Sequence, residues 1–505
     1  MNRISSEPGQ SRAHDAIDAH DPARAGGDTR EARALYRSRA EWAAKVDHDR
    51  AGPRFVRTFW WLVGTLLVAC GVFLAIAVLQ GPKLTDAQVD ASAVIERSDQ
   101  QVRLFFNQDL VEVNPDQVTV SPATEFSVTT SGDLVTVQFG APLLYATEYT
   151  VRLVEVRSEA LPQPSSTEFT FTTASPRPVF LDRSDPASGE PDGIVRIGLT
   201  GSDRETIFSA VGIESFALTG QVLAVSSAVG DGTSRLQLVS LADGAIEEVR
   251  LPAPGTVTDL AASDVGSVLA FTFTPSVRGD DVLGGREVLV LDLEAGRALT
   301  PVAELGGDPL PVTAWQFVPG STSIVVQGIE QTTFLVDFAA GGVPAPLGRF
   351  AEIVSISRDG SSMLARDALG AVVVSLADGS QERVEPSLIQ GGRPFIGQAE
   401  VLANGDVIEK AALQTTDGRF VVIVAVDDGT EGRVLYQTPD LAGSIEDFTV
   451  SPNGQYVAIE VVPVLADSVS DGYAVDPRST TITTVIVEIS TGLIVRSVEG
   501  FALLW

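Results

Sequence analysis

The chain has 505 residues, with 66 acidic against 35 basic ones and a net charge of −31. That length allows two or three folded units, and so acidic a body repels phosphate backbones, which argues against nucleic-acid binding. All three histidines (His14, His20, His48) precede residue 58 and the single cysteine is Cys70, so the body beyond residue 79 can hold no disulfide, no thiolate nucleophile, no His-bearing triad and no His or Cys zinc site.

The charge is uneven. Residues 1–57 carry 11 basic and 9 acidic residues, whereas the remainder carries 24 and 57, near −33. The leading 27 residues are polar and of low apolar content, the composition of a disordered segment. From about residue 29 to 49 a helical period emerges: Asp28 or Thr29 serves as a cap, and Leu35, Trp42 and Val46 share one side. With Arg30, Arg33, Arg37 and Arg50 this is either a helix on an anionic inner leaflet or a plain juxtamembrane tail.

Residues 58–79, TFWWLVGTLLVACGVFLAIAVL, contain no charge over 22 positions. As a helix they would span roughly 33 Å, enough for a bilayer core. Arg50, Arg54 and Arg57 precede the run and only Lys83 closely follows it, so the positive-inside rule puts the N-terminus in the cytoplasm and the body outside. A cleaved signal peptide fits less well, because its apolar core is shorter and its leader briefer. Leu67-Val68-Ala69-Cys70 has the form of a lipobox, yet nine apolar or small residues follow where a lipobox ends the core. The expectation is an uncleaved single-pass anchor.

A short linker, 80–89, leads to period-2 runs over 90–174, the mark of half-buried strands. VRLFF (102–106), QVTVSP (117–122), EFSVTT (125–130), LVTVQF (134–139), EYTVRLVEV (148–156) and TEFTFTT (167–173) are separated by turn signals such as Ser131-Gly132-Asp133. About seven short strands in so short a span predict a β-sandwich. VRLFFNQDL, DQVTVSP, ATEYTVRLVEV and TEFTFTT together resemble bacterial Ig-like domains of surface-layer type. That resemblance implies a spacer or adhesive module on a cell surface.

From 175 to 505 a repeat sets in. One half is a strand, tight turn and strand, as in IVSISRDGSSMLAR (353–366) and DFTVSPNGQYVAIE (447–460). The other is a strand ending in a Gly turn before an outer strand, as in RLQLVSLADGAIEEVRL (235–251). The Gly turns of this second half are Gly201, Gly244, Gly296, Gly341, Gly379, Gly429 and Gly492, which predicts a seven-bladed β-propeller of four strands per blade; six blades remain the alternative count. The first unit lacks an inner strand, and GFALLW (500–505) matches SFALTG (215–220), so the C-terminal segment is expected to close blade one with Trp505 near the central channel. The SPNG and SRDG turns resemble those of TolB-type WD40-like propellers, a resemblance that implies a fold and no function. Arginine-rich usage with only three lysines (Lys45, Lys83, Lys410) suits a high-GC, actinobacterial-type source.

In such a blade the strand 1–2 and 3–4 turns share one face, here nearly all tight Gly turns. The long connections, 274–285 and 463–479, lie on the other. Recognition concentrates on loops that a rigid scaffold presents. The candidate binding residues are therefore Asp280, Asp281, Asp467, Asp471, Tyr473 and Asp476; the competing reading is that they are solvated loop acids. Their spacing does not fit an EF-hand, so no metal and no cofactor are expected. Arg278-Gly279-Asp280 is taken as a coincidental tripeptide. No catalytic constellation stands out. The chain thus reads as a mainly β, membrane-anchored extracytoplasmic binding or scaffold protein whose partner is a protein or cell-wall glycan. The alternatives are a propeller enzyme on extracellular or cell-wall polysaccharide, and a sensor coupling an outer ligand to the tail.

Overall fold

The computed structural model describes residues 52–78, 81–160, 163–185, 188–230, 232–276, 285–304, 306–415 and 418–505. The tail helix expected at 29–49 lies outside them, as do Asp280 and Asp281. The chain divides into two compact units, Met1–Gln80 and Gly81–Trp505.

In the first unit, Gly52–Val78 is one continuous helix. Its segment Phe55–Phe73 is long and apolar enough to cross a membrane. Trp60, Trp61, Leu66, Leu67 and Phe73 are all exposed on it, so no core among the described residues accounts for its apolar surface. The helix runs on past Cys70 without a break.

The second unit opens with two sheets around one apolar cluster. A four-stranded sheet orders Leu84–Gln88, Gln101–Phe106, Leu134–Phe139 and Phe126–Ser131; a three-stranded sheet orders Val118–Ser121, Glu148–Val156 and Ser165–Thr172. Alternation explains the layering: Val102, Leu104 and Phe106 point inward at 0–2% exposure while Arg103 faces solvent. They meet Val135, Val137 and Phe139 of the same sheet, and Tyr149, Val151 and Leu153 of the other. The stretch 80–89 is not a bare linker. Its Leu84–Gln88 is an edge strand paired with Arg103–Phe106.

Seven four-stranded antiparallel sheets follow, here sheets I to VII. Sheets II to VII each take four consecutive strands, beginning at Ile213, Gly255, Val312, Glu352, Phe395 and Ser444. Sheet I orders Arg204–Ala210, Asp192–Ile197, Val179–Asp182 and Phe501–Leu504. The C-terminal segment thus supplies the inner strand beside Val179–Asp182, with Phe501 opposite Leu181. This serial array of meanders, closed by its last strand, has β-propeller topology.

The seven Gly turns read from the sequence all adopt positive φ, from 70° at Gly379 to 97° at Gly341, a region that costs glycine little. Between neighbouring sheets the packing is aliphatic. Val424, Val426 and Ile408 of sheet VI meet Phe448, Val457 and Ile459 of sheet VII, for example. Trp505 is placed differently from expectation. Leu504 lines the channel, but Trp505 stacks on Tyr456 and on Tyr145 of the two-sheet region, with ring centroids 6.1 and 6.5 Å away.

Candidate functional site

Every inner strand runs from the face bearing the long connections to the face bearing the tight turns. Two cavities lie along the channel they enclose. The larger, about 730 Å³, is lined by the inner strands of sheets I, II, III and VII and by the connection after Tyr456–Val462. The smaller, about 320 Å³, is lined by inner strands of sheets IV, V, VI and VII, with Arg358 and Glu400 as an ion pair.

The larger cavity is acidic. Glu214, Asp259, Asp447, Glu460 and Asp476 face Arg286 and Arg478. Arg286 pairs with Asp259 at 2.7 Å, and Arg478 with Asp476 at 3.0 Å and Glu460 at 3.4 Å. Asp447 has no ion pair among the described residues. Glu460 is 7% exposed and accepts from the Ala502 N–H at 2.6 Å, which ties sheet VII to the closing strand. Its burial, and the Asp447 charge, push its carboxyl up to about 7 against the pull of Arg478. Glu214 is buried too and accepts from Ser234 at 2.6 Å and Ser226 at 3.1 Å; burial raises its pKa as well.

Beside this cavity the residues 463–482 are held down by one guanidinium. Arg183 donates to Asp471 Oδ2 and to the Asp476 carbonyl, both at 2.9 Å, and to the carbonyls of Ile213 (3.0 Å) and Glu214 (2.7 Å). Its plane lies 4.1 Å from the Tyr473 ring centre and 4.8 Å from that of Phe501. Tyr473 donates its hydroxyl to Asp192 at 2.6 Å; burial first, then that carboxylate, raises its pKa. One side chain thereby joins sheets I and II, the closing strand and the long connection of sheet VII.

Of the four described candidates, three come together here. Asp471 and Tyr473 are spent on the Arg183 lock, and Asp476 on Arg183 and Arg478. Asp467 stands apart, exposed at the end of a short turn. Sequence reasoning missed Arg183, Asp192, Glu214 and Arg478, which carry no local signal. Glu460 had one, a carboxylate inside the otherwise apolar strand YVAIEVV.

Exposed apolar side chains occur on both faces: Ile246, Val343, Leu493 and Ile494 lie in or beside tight turns at 56–65% exposure, and a further set lies on the loop-rich face. Val211, Ile329, Leu369, Leu388, Phe395 and Phe420 all sit in its connections or at its strand ends, at 53–84% exposure. On the opposite face, the SPNG turn of sheet VII receives the two-sheet region: Asn453 donates to the Leu143 carbonyl at 2.9 Å, and Gln455 Oε1 accepts from the Tyr145 N–H at 2.7 Å. Tyr145 lies 6.0 Å from Tyr456, ring over ring.

No protein-family model and no curated protein matches the chain. Among solved structures it is similar to the propeller domain of the Trilobed protease from Pyrococcus furiosus (11% identity, 68% of this chain and 93% of that one, TM-score 0.40). It is also similar to TolB from Acinetobacter baumannii (12%, 75% and 79%, 0.35) and to the β-propeller domain of Myceliophteria thermophila Cps50 (Swd1) (15%, 57% and 90%, 0.36). The propeller assignment rests on this chain's own sheet order and closing strand, not on these distant likenesses.

Proposed function

We propose that the chain is a single-pass membrane protein of an actinobacterial-type envelope, N-terminus cytoplasmic and body extracytoplasmic, in which an Ig-like module of surface-layer type carries a seven-bladed propeller that binds a protein or cell-wall glycan. The observation that carries the binding assignment is the docking of the two-sheet region on the tight-turn face, which leaves the loop-rich face and its acidic cavity unencumbered by that region. The adjoining exposed rings of Phe395 and Phe420 on the loop-rich face support a macromolecular partner, because adjoining exposed apolar side chains, unlike scattered ones, favour association. The Ig-like reading is supported by Tyr149, near the start of its strand, whose hydroxyl engages the Leu144 N–H at 3.1 Å, five residues upstream. The apolar helix and the acidic body fit an anchor with the body outside.

Capture by the full-length detergent-solubilised protein, alongside a glycan array, tests the reading. A protein or glycan retained by wild type and lost with loop-face variants supports it. Clear turnover of a polysaccharide with no captured partner contradicts it. The second reading, a propeller enzyme on polysaccharide, draws on Asp447 and Glu460 sharing the cavity with Glu460 protonating near neutrality, as a general acid does. Turnover abolished in Glu460→Gln would establish that alternative.

A further inference from the structure

The smaller cavity lies at the tight-turn end of the channel. Gln316 and Phe317 are the last residues of Val312–Phe317, and Ser355 and Ile356 are the last of Glu352–Ile356. Glu400 and Thr449 are next to last in Phe395–Val401 and Ser444–Val450. Each of these inner strands thus brings a polar side chain to one space of about 320 Å³, at the lower end of the range for small-molecule pockets.

Several polar groups there are unspent. Ser355 is 7% exposed, and its Oγ has no hydrogen-bond partner among the described residues. The same holds for Arg358 Nε, although that guanidinium pairs with Glu400 and donates to the Val450 carbonyl at 2.5 Å. The Gln316 amide makes no hydrogen bond among the described residues, and Gln398 spends only its Nε2, on the Phe448 carbonyl at 3.1 Å. A buried polar group without a partner costs free energy, so a ligand that supplies partners is favoured. Solvent reaches the space, since the Arg358 and Glu400 side chains keep 26% and 21% exposure.

The lining selects a chemistry. Arg358 and Glu400 cancel, so this cavity is not acidic as the larger one is. An anion would be set against Glu400 and a cation against Arg358. The amides and hydroxyls offer donors and acceptors side by side, which suits hydroxyl groups, because a hydroxyl both donates and accepts. Phe317, edge-on to Trp315 with ring centroids 5.5 Å apart, adds an apolar surface for C–H groups.

We propose that this cavity binds a neutral polyhydroxylated ring of the size of one sugar, either a free sugar or cyclic polyol, or the terminal unit of a glycan. Gln316, Ser355, Arg358 and Gln398 hydrogen-bond its hydroxyls, and Phe317 packs against its C–H face. The site lies at the far end of the channel from the loop-rich face, so it stands or fails separately from the reading of that face.

The test is a saturation-transfer NMR titration of the full-length protein in a detergent without a sugar headgroup. The neutral probes are glucose, galactose, N-acetylglucosamine and myo-inositol; glucuronate and protonated glucosamine are their charged counterparts. At least one neutral probe is expected to bind at on the order of 1 mM or tighter, and about tenfold more tightly than the charged ones. Gln316→Ala/Ser355→Ala is expected to weaken it about tenfold at an unchanged melting temperature, since neither side chain hydrogen-bonds within the described fold. Asp259→Asn, in the larger cavity, is expected to leave binding unchanged. An oligosaccharide ending in the bound sugar and binding equally well would support the site with a glycan terminus as its source; exclusion of that oligosaccharide would support it with a free sugar. No binding of any neutral probe, or equal binding of a charged one, would overturn the proposal. Binding lost in Asp259→Asn and kept in Gln316→Ala/Ser355→Ala would move the ligand to the larger cavity and overturn it too.

Discussion

Glu409 lies 1% exposed on the second strand of sheet VI, and its Oε1 has no hydrogen-bond partner. Burial, and to a lesser degree the Asp427 charge, raise its carboxyl to about 7 from an ordinary 4.5. Between those values the folded state keeps a proton that the unfolded state has lost, so stability falls as pH rises from 4.5 through 7 and is flat above. Glu409→Gln should therefore change little at about pH 5 and stabilise by about 1–3 kcal/mol at about pH 8. Thermal melts at the two pH values check this; equal shifts at both would refute it. Arg183 makes the opposite case. At 3% side-chain exposure it neutralises Asp471, and Arg183→Ala leaves that carboxylate buried without its counter-charge, held only by the Tyr473 and Arg478 backbone N–H groups. A loss of about 3–5 kcal/mol is expected, read as a lowered melting temperature, whereas the exposed pair Arg393–Glu385 should cost under about 1 kcal/mol to break.

At the scale of elements, the closing strand depends on one glycine. Gly500 sits at φ 129°, and a Cβ there would meet Phe180 Cδ2 at 2.5 Å and the Leu181 carbonyl at 2.6 Å. Backbone cannot yield as a side-chain tip can. Gly500→Ala should loosen Phe501–Leu504 from Val179–Asp182, seen as faster amide exchange in both strands with sheets III to V unchanged. Unaltered exchange would mean that the closing strand is not what holds sheet I. Much of this organisation was legible in the residues. Period-2 runs and Asp-Gly or Asn-Gly turns mark strands and hairpins through local geometry, and the match of GFALLW to SFALTG exposed the missing inner strand. The Leu84–Gln88 edge strand was not legible, because LTDAQ lacks alternation and is held only by pairing with Arg103–Phe106. The site was less legible still. Acidic loop residues could be named, but Asp471 and Tyr473 are consumed by Arg183, a residue 288 positions away from Asp471. The exposed phenylalanines of sheet VI read as ordinary strand ends until the register sets them side by side.

For the whole molecule, the contact of Tyr145 and Leu143 with the SPNG turn and Trp505 makes the two-sheet region and the propeller one compact body. They should unfold together, and Tyr145→Ala/Gln455→Ala should split the melt into two transitions in calorimetry. A single transition retained in that variant would show that the aromatic stack does not couple them. This docking also bears on function, since it occupies the tight-turn face and leaves the other to a partner. The most direct test compares capture of a partner by the full-length wild type, by Phe395→Ser/Phe420→Ser on the loop-rich face, and by Leu493→Ser/Ile494→Ser, equally exposed in a tight turn of the opposite face. Loss of the partner only in the phenylalanine variant is the predicted result. Loss only in the Leu493/Ile494 variant would contradict the assignment of the loop-rich face as the binding surface.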